Sequence, residues 1–391
     1  MAKIKPPKLE IETGVETYKS TEEGIGGRIK RIPEDFVVNE IPLGAQISED
    51  GEHTHFTLKK TNWDTLRAIK QISSVLGVSQ NRFGFAGTKD KKAVTTQRVS
   101  AWKVPIEKLQ SLRIKDIELS DFSYSDVRIN LGNLKGNRFT ITIRNIDLGK
   151  KEIETRIEKI SKELKSGFPN FYGIQRFGVT RPITHLVGKA ILQNDFESAV
   201  MIYLSEQFDE EGEESTRARR ILAEKKDFKE AVRIFPKHLG YENAMLNHLL
   251  KNPNDFKGAL KKLPKNLSRM FVHAYQSYVF NRALSEYVDR EIDVERLPLV
   301  GTEIQIDEIS SKILEKEKIK QTDFEIKELP ELSSKGEYRN CFSFAENFKI
   351  FKIEKDELND KKNKVVLQFS LERGMYATVF LREFMKNEYW K

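Results

Sequence analysis

Apolar residues change their spacing along this chain, and that change limits the folds open to it. From Arg138 onward, Phe139, Ile141 and Ile143 alternate with Thr140, Thr142 and Arg144, the period-two pattern of a half-buried strand. Shortly afterwards Ile153, Ile157, Ile160 and Leu164 fall three and four apart, one stripe of a helix, with Gly167 where that helix closes. Earlier, Phe36–Ile41 reads as a strand, and His55–Lys59 alternates apolar with polar as a second. A helix follows Thr61-Asn62, with Trp63, Leu66, Ile69, Ile72 and Leu76 on its apolar stripe and Gly77 at the place of a left-handed cap. Strands and helices mix here without the regular strand–helix–strand rhythm of a doubly wound sheet, so the class predicted is α+β.

The character changes after about residue 167. The chain then reads as mostly helical, interrupted by the acidic stretch Glu206 to Glu214, which is expected to be mobile, and including one long helix over Ser268–Val288. A Lys/Glu-rich segment from 312 to 336 leads to a last strand, Val365–Phe369, too isolated to build a core by itself. It is expected to return to the N-terminal sheet, which makes the helical middle an insertion. At 391 residues two structural units are the natural expectation. Residues 1–20, polar and with Pro6 and Pro7, read as a loosely attached tail.

Composition narrows the function. No uncharged apolar run reaches the length of a membrane span, and no apolar segment of a signal peptide follows the basic start. The single cysteine, Cys341, excludes an intrachain disulfide and a cysteine-based metal cluster, and a reducing, cytoplasmic location follows as the expectation. A net charge of +8 and a pI near 9.1 favour a polyanionic partner, because each cation placed on a phosphate releases counterions.

The densest chemistry lies in Gly84–Gln97, where Lys89, Lys91 and Lys92 surround one carboxylate, Asp90, after two glycines. The glycines permit a tight turn or close approach to a ligand, and the lysines attract phosphate. The plain alternative is a loop between strands with a solvated charge run. The glycine–lysine spacing is not that of a phosphate-binding P-loop. His53 and His55 share a strand face but have no third ligand nearby, so a surface pair is favoured over a metal pair. His273 reads as a core histidine, and Arg176 and Arg382 as either phosphate ligands or structural ion-pair partners.

The segment Ala86-Gly87-Thr88-Lys89-Asp90-Lys91-Lys92-Ala93-Val94-Thr95-Thr96-Gln97 closely resembles the signature of the TruD family of tRNA pseudouridine synthases, in which the aspartate is catalytic. Four more segments resemble the family in the same order: Pro33–Glu40, Leu134–Thr140, Pro169–Gly178, and Gly374–Thr378 with Leu381-Arg382-Glu383. The resemblance implies a pseudouridine synthase fold, a mixed, largely antiparallel sheet with flanking helices, carrying a mostly helical family-specific insertion. In those terms residues 21–166 and 348–391 are the catalytic domain, 167–347 the insertion domain and 1–20 the tail. It places the catalytic carboxylate at Asp90, and an aromatic against the target base at Phe139 where most other pseudouridine synthases use tyrosine. Phe36, Asn137 and Tyr376 take substrate-contacting positions (Tyr376 where relatives have Phe), and Lys30 that of a basic partner for Asp90.

The implied reaction breaks the uridine N1–C1′ bond and joins C5 to C1′, probing no redox chemistry, so neither cofactor nor metal is expected. A uridine taken out of its stack calls for an aromatic wall and an amide that reads the base edge. The implied partner is tRNA, with uridine 13 of the D arm as the usual target, and the protein is expected to be a monomer without an obligate protein partner. The competing readings are a non-catalytic RNA-binding protein on the same fold, or a synthase acting mainly on another RNA site.

Overall fold

The computed structural model describes residues 4–44, 47–208 and 210–388. The first three residues of the expected tail and Asp209 of the acidic stretch lie outside them. The chain divides into two compact units: residues 20–168 with 344–391, and residues 1–19 with 169–343.

The first unit is built on an eight-stranded sheet: β1 (Phe36–Pro42), β2 (His53–Thr61), β3 (Phe83–Phe85), β4 (Val94–Trp102), β5 (Ile117–Ser125), β6 (Leu134–Ile146), β7 (Glu346–Lys355) and β8 (Asn363–Glu372). Its order is β7-β8-β6-β1-β4-β2-β5, with β3 added beside β4. All pairings are antiparallel except β1 with β4. The last strand does return, pairing with β6 so that Leu367 faces Ile141 and Phe369 faces Phe139. Cross-strand partners share a face, so Phe36, Val38, Phe139 and Ile141 form one apolar surface, continued by Leu58 and Val99 across β2 and β4.

Helices cover that surface. Thr65–Leu76 packs Ala68, Ile69 and Ile72 onto Phe56, Leu58, Val99 and Ala101. Its limits are set locally: Asp64 Oδ1 accepts the Arg67 N–H at 2.9 Å, and Gly77 closes it in the left-handed region at φ 66°. Leu66, assigned above to the buried stripe, is instead exposed, since the core lies under the 68/69/72 edge of the helix. Over the other half of the sheet, Phe380 of the helix Ala377–Met385 meets Phe369 at 4.7 Å.

The second unit is mainly helical around one long helix, Lys265–Asp289. Here the expectation of a loose tail is corrected. Residues Lys8–Glu12 are helical and Thr13 and Val15 are buried. Asn281, in the middle of the long helix, explains this: its amide donates to the carbonyls of Thr13 and Tyr172, both at 3.0 Å, and accepts the Tyr172 N–H at 2.8 Å. Ser285 likewise donates to Gly14 O at 3.0 Å and accepts the Glu16 N–H at 2.9 Å. Within the acidic stretch, Glu211 receives the buried Arg219 guanidinium at 3.0 Å. His273, read as a core residue, lies exposed on the long helix.

Candidate active site

The loop carrying Asp90 runs from β3 to β4, residues 86–93, and its main chain is held from beneath. Gln97 Nε2 donates to Gly87 O at 2.9 Å, and the Lys89 N–H donates to Thr65 Oγ1 at 2.9 Å. Thr65 Oγ1 in turn donates to Gln97 Oε1 at 2.9 Å, so loop, helix and strand share one network. The loop closes where the Asn62 N–H meets Ala93 O at 3.1 Å.

Asp90 projects outward, with half its side chain exposed, and Lys30 Nζ donates to its Oδ2 in a short ion pair. Lys30 has left-handed backbone, φ 56°, which a non-glycine residue adopts only when its surroundings hold it there. Asp35 supplies the hold. Its Oδ2 accepts the N–H groups of Arg31 and Ile32 at 3.0 and 3.1 Å, while Oδ1 accepts from Arg144 Nε at 2.7 Å. Arg144 is itself buried and also donates to Asp356 Oδ1 at 2.8 Å and Glu357 Oε1 at 3.0 Å.

Lys30 Nζ also sits 4.1 Å from the centre of the Phe36 ring, and Phe36 meets Phe139 edge-to-face at 6.2 Å. Phe139 stacks on Phe369 at 5.3 Å and is only 6% exposed. Asn137 precedes Phe139 by two residues on the same face of β6 and lies opposite Glu40 of β1. Its Oδ1 is buried with no hydrogen-bond partner. An unmatched acceptor of this kind costs about 1–3 kcal/mol unless a ligand supplies the donor. Lys30, Phe36, Asp90, Asn137 and Phe139 are thus linked through successive neighbours on one side of the sheet. Tyr376 is the N-cap of the last helix, four residues after the end of β8 at Glu372.

The basic shell read around Asp90 is corrected in one member. Lys89 turns inward and pairs with Glu40 at 2.6 Å, leaving Lys91 and Lys92 as the exposed cations. Glu40 also accepts the Arg98 N–H at 3.1 Å, near the point where β4 exchanges β1 for β3 as its neighbour. Glu40 stands out in the sequence only by following Phe36 and Val38 at the buried parity of β1. Lys60 follows Phe56 and Leu58 in the same way on β2. A charged residue at an apolar-face position is the signal that identifies both.

The remaining candidates resolve into structural contacts. His55 is buried, with Nε2 2.6 Å from Val127 O, so the pair with His53 is not a surface pair. Among the described residues no group of three or more His, Cys, Asp or Glu is placed to hold a metal ion. Arg382 is buried against Glu383 at 3.0 Å, and Arg176 donates to Ser277 Oγ at 3.2 Å. Among the described residues no helix is long and apolar enough to cross a membrane.

This fold recurs in the crystal structure described as the putative tRNA pseudouridine synthase D (TruD) from Methanosarcina mazei, with a TM-score of 0.85, 37% identity and coverage of 98% of both chains. A mixed, mainly antiparallel sheet with the shared architecture of that structure defines an enzyme of the pseudouridine synthase class. The TruD family, tRNA pseudouridine synthase D, matches residues 12–299 and 290–384, and the chain belongs to it. Relatives described as probable tRNA pseudouridine synthase D include one from Methanosarcina barkeri, 38% identical over 97% of this chain and 98% of its own. Another, from Methanocaldococcus jannaschii, is 39% identical over 93% of this chain and 96% of its own.

Proposed function

We propose that the protein isomerises uridine 13 in the D arm of tRNA to pseudouridine, with Asp90 as the catalytic carboxylate. The observation that carries this reading is the placement of Asp90: a half-exposed carboxylate on a braced loop, engaged by Lys30, whose ammonium also lies over Phe36. The isomerisation is redox-neutral. The N1–C1′ bond breaks, the base turns over, and C5 takes the place of N1 while its proton is lost to solvent and N1 gains one. A carboxylate has two ways to open that sequence, attack at C1′ or removal of a sugar proton, and both use the same oxygen lone pairs. Lys30 orients the carboxylate for either.

Phe36 and Phe139 form the aromatic wall, Asn137 offers its unmatched amide oxygen to the imino N–H of the turned-out base, and Tyr376 adds a further ring. Lys91 and Lys92 are available to phosphate. Residues 167–347 serve as the insertion domain of the family, and the enzyme works as a monomer in the cytoplasm without cofactor.

The test is pseudouridine mapping of unmodified tRNA after incubation with the purified protein alone, wild type beside Asp90→Asn. The wild type is expected to modify position 13. The variant is expected to fold and bind tRNA as before yet produce no pseudouridine, because an amide can act neither as nucleophile nor as base. Turnover by Asp90→Asn above about a thousandth of wild type would remove Asp90 from the mechanism. Modification at another position would keep the chemistry and change the target, and binding without modification would favour the non-catalytic reading.

A further inference from the structure

Lys60 is a lysine with no exposed surface. It occupies the penultimate position of β2, opposite Thr95 of β4, at the place where the apolar face of the sheet runs under the Asp90 loop. Burying an ammonium costs several kcal/mol unless its protons are matched, and in most proteins a carboxylate does the matching. Among the described residues Lys60 has no ion-pair partner. Its ammonium instead reaches three carbonyl oxygens: Trp63 at 2.6 Å, Asp90 at 3.3 Å and Lys89 at 3.4 Å. That uses the three donors an ammonium possesses. Burial pushes this ammonium down to about 8, with Asp64 and Asp90 opposing the shift and Lys89 adding to it.

The three acceptors are not equivalent. Trp63 O belongs to the turn that enters the helix Thr65–Leu76, and the other two are consecutive carbonyls of the loop, one of them Asp90's own. The other main-chain hydrogen bonds of the loop fall before Asp90, at Ala86, Gly87 and Lys89, or after it, at Lys91 and Ala93. Among the described residues, only Lys60 makes a hydrogen bond to the main chain of residue 90 itself.

We propose that Lys60 is a positioning residue for the reaction: its buried ammonium fixes the main chain at Asp90 and thereby aims the carboxylate that Lys30 engages from the other end. The proposal rests on Asp90 being the catalytic carboxylate. Lys60 touches no substrate in this account. A methyl-tipped chain of similar length would fill the same space with less desolvation, but would leave the carbonyls of residues 63, 89 and 90 without their donor and the loop free to shift. Displacement of a reacting group by about 1 Å costs about a hundredfold in rate.

The experiment measures single-turnover conversion of tRNA and tRNA affinity for the full-length protein in four forms: wild type, Lys60→Met, Lys60→Ala and Asp90→Asn. Lys60→Met is expected to bind tRNA within about threefold of wild type and to react about 30- to 100-fold more slowly. Lys60→Ala leaves a channel with three carbonyls at its end. Ethylammonium, added during refolding and assay, is expected to restore at least about fivefold of the lost rate, whereas tetramethylammonium, which has no N–H, should not. That rescue also serves if Lys60→Met fails to fold. A Lys60→Met rate within about threefold of wild type, with Asp90→Asn inactive, overturns the role of Lys60 and leaves Asp90 in place. Equal losses of rate and affinity, or equal response to both amines, also overturn it. An active Asp90→Asn overturns the reading on which the proposal stands.

Discussion

Lys89 and Glu40 meet at 2.6 Å with side chains 7% and 1% exposed, next in sequence to an Asp90 side chain that is 50% exposed. Two neighbouring charges in one loop are thus sent in opposite directions. The inward pair ties the loop to β1, and the outward carboxylate meets Lys30. Because Glu40 also satisfies the Arg98 N–H, one buried carboxylate serves both the loop and the sheet where β1 gives way to β3.

Removing one member of such a pair leaves the other charge buried without compensation. Glu40→Gln is therefore expected to destabilise the protein by about 3–5 kcal/mol, and the further change Lys89→Met to recover most of that loss. Urea denaturation of the two single variants and the double variant gives the coupling. Simple additivity of the two losses would show that the pair does not act as one unit.

Phe139 is placed to separate a catalytic aromatic from a core residue. Phe139→Leu removes a ring packed on Phe36 and Phe369, with an expected stability cost of about 1–2 kcal/mol. If the ring also supports the turned-out base, turnover falls by roughly ten- to a hundredfold, since base–aromatic stacking is worth about 1–3 kcal/mol. Melting curves and single-turnover rates on the same preparations distinguish the two. Lost stability with an unchanged rate would make Phe139 a core residue alone.

The Arg144 cluster predicts an acid response. Hydrogen bonds from Arg144 and then Lys364 hold the Glu357 carboxyl down to about 2, against an ordinary 4.5. A carboxyl lowered on folding contributes its stability in full above its unfolded value and loses it as pH falls toward the folded one. The melting temperature of wild type is accordingly expected to fall more steeply than that of Glu357→Gln between pH 4.5 and about 2, and in parallel with it above. The effect is modest, because Glu357 is 56% exposed and solvent screens it. Parallel curves through the acid range would show that the Arg144–Glu357 contact carries no linkage.

Local rules made much of the fold readable. Strand β6 announced itself by alternation over Phe139, Ile141 and Ile143, and the helix after Asn62 by apolar residues three and four apart and a glycine at 77. The family resemblance drew attention to Lys30, Phe36, Asp90, Asn137, Phe139 and Tyr376. These signals are legible because backbone preference, side-chain periodicity and capping act between residues a few positions apart. What only the tertiary structure decided was which charges are inside. Lys89 and Asp90 are adjacent and equally polar in sequence, yet one is buried on Glu40, 49 positions away, and the other faces Lys30, 60 positions away. Lys60 reads as one of two neighbouring lysines until β2 places it beneath the loop, while Lys59 points outward to Glu118. Thr13 reads as tail until Asn281 takes its carbonyl. Burial of a polar group is settled by the partners that sheet register and helix packing bring to it, and no local pattern contains those partners.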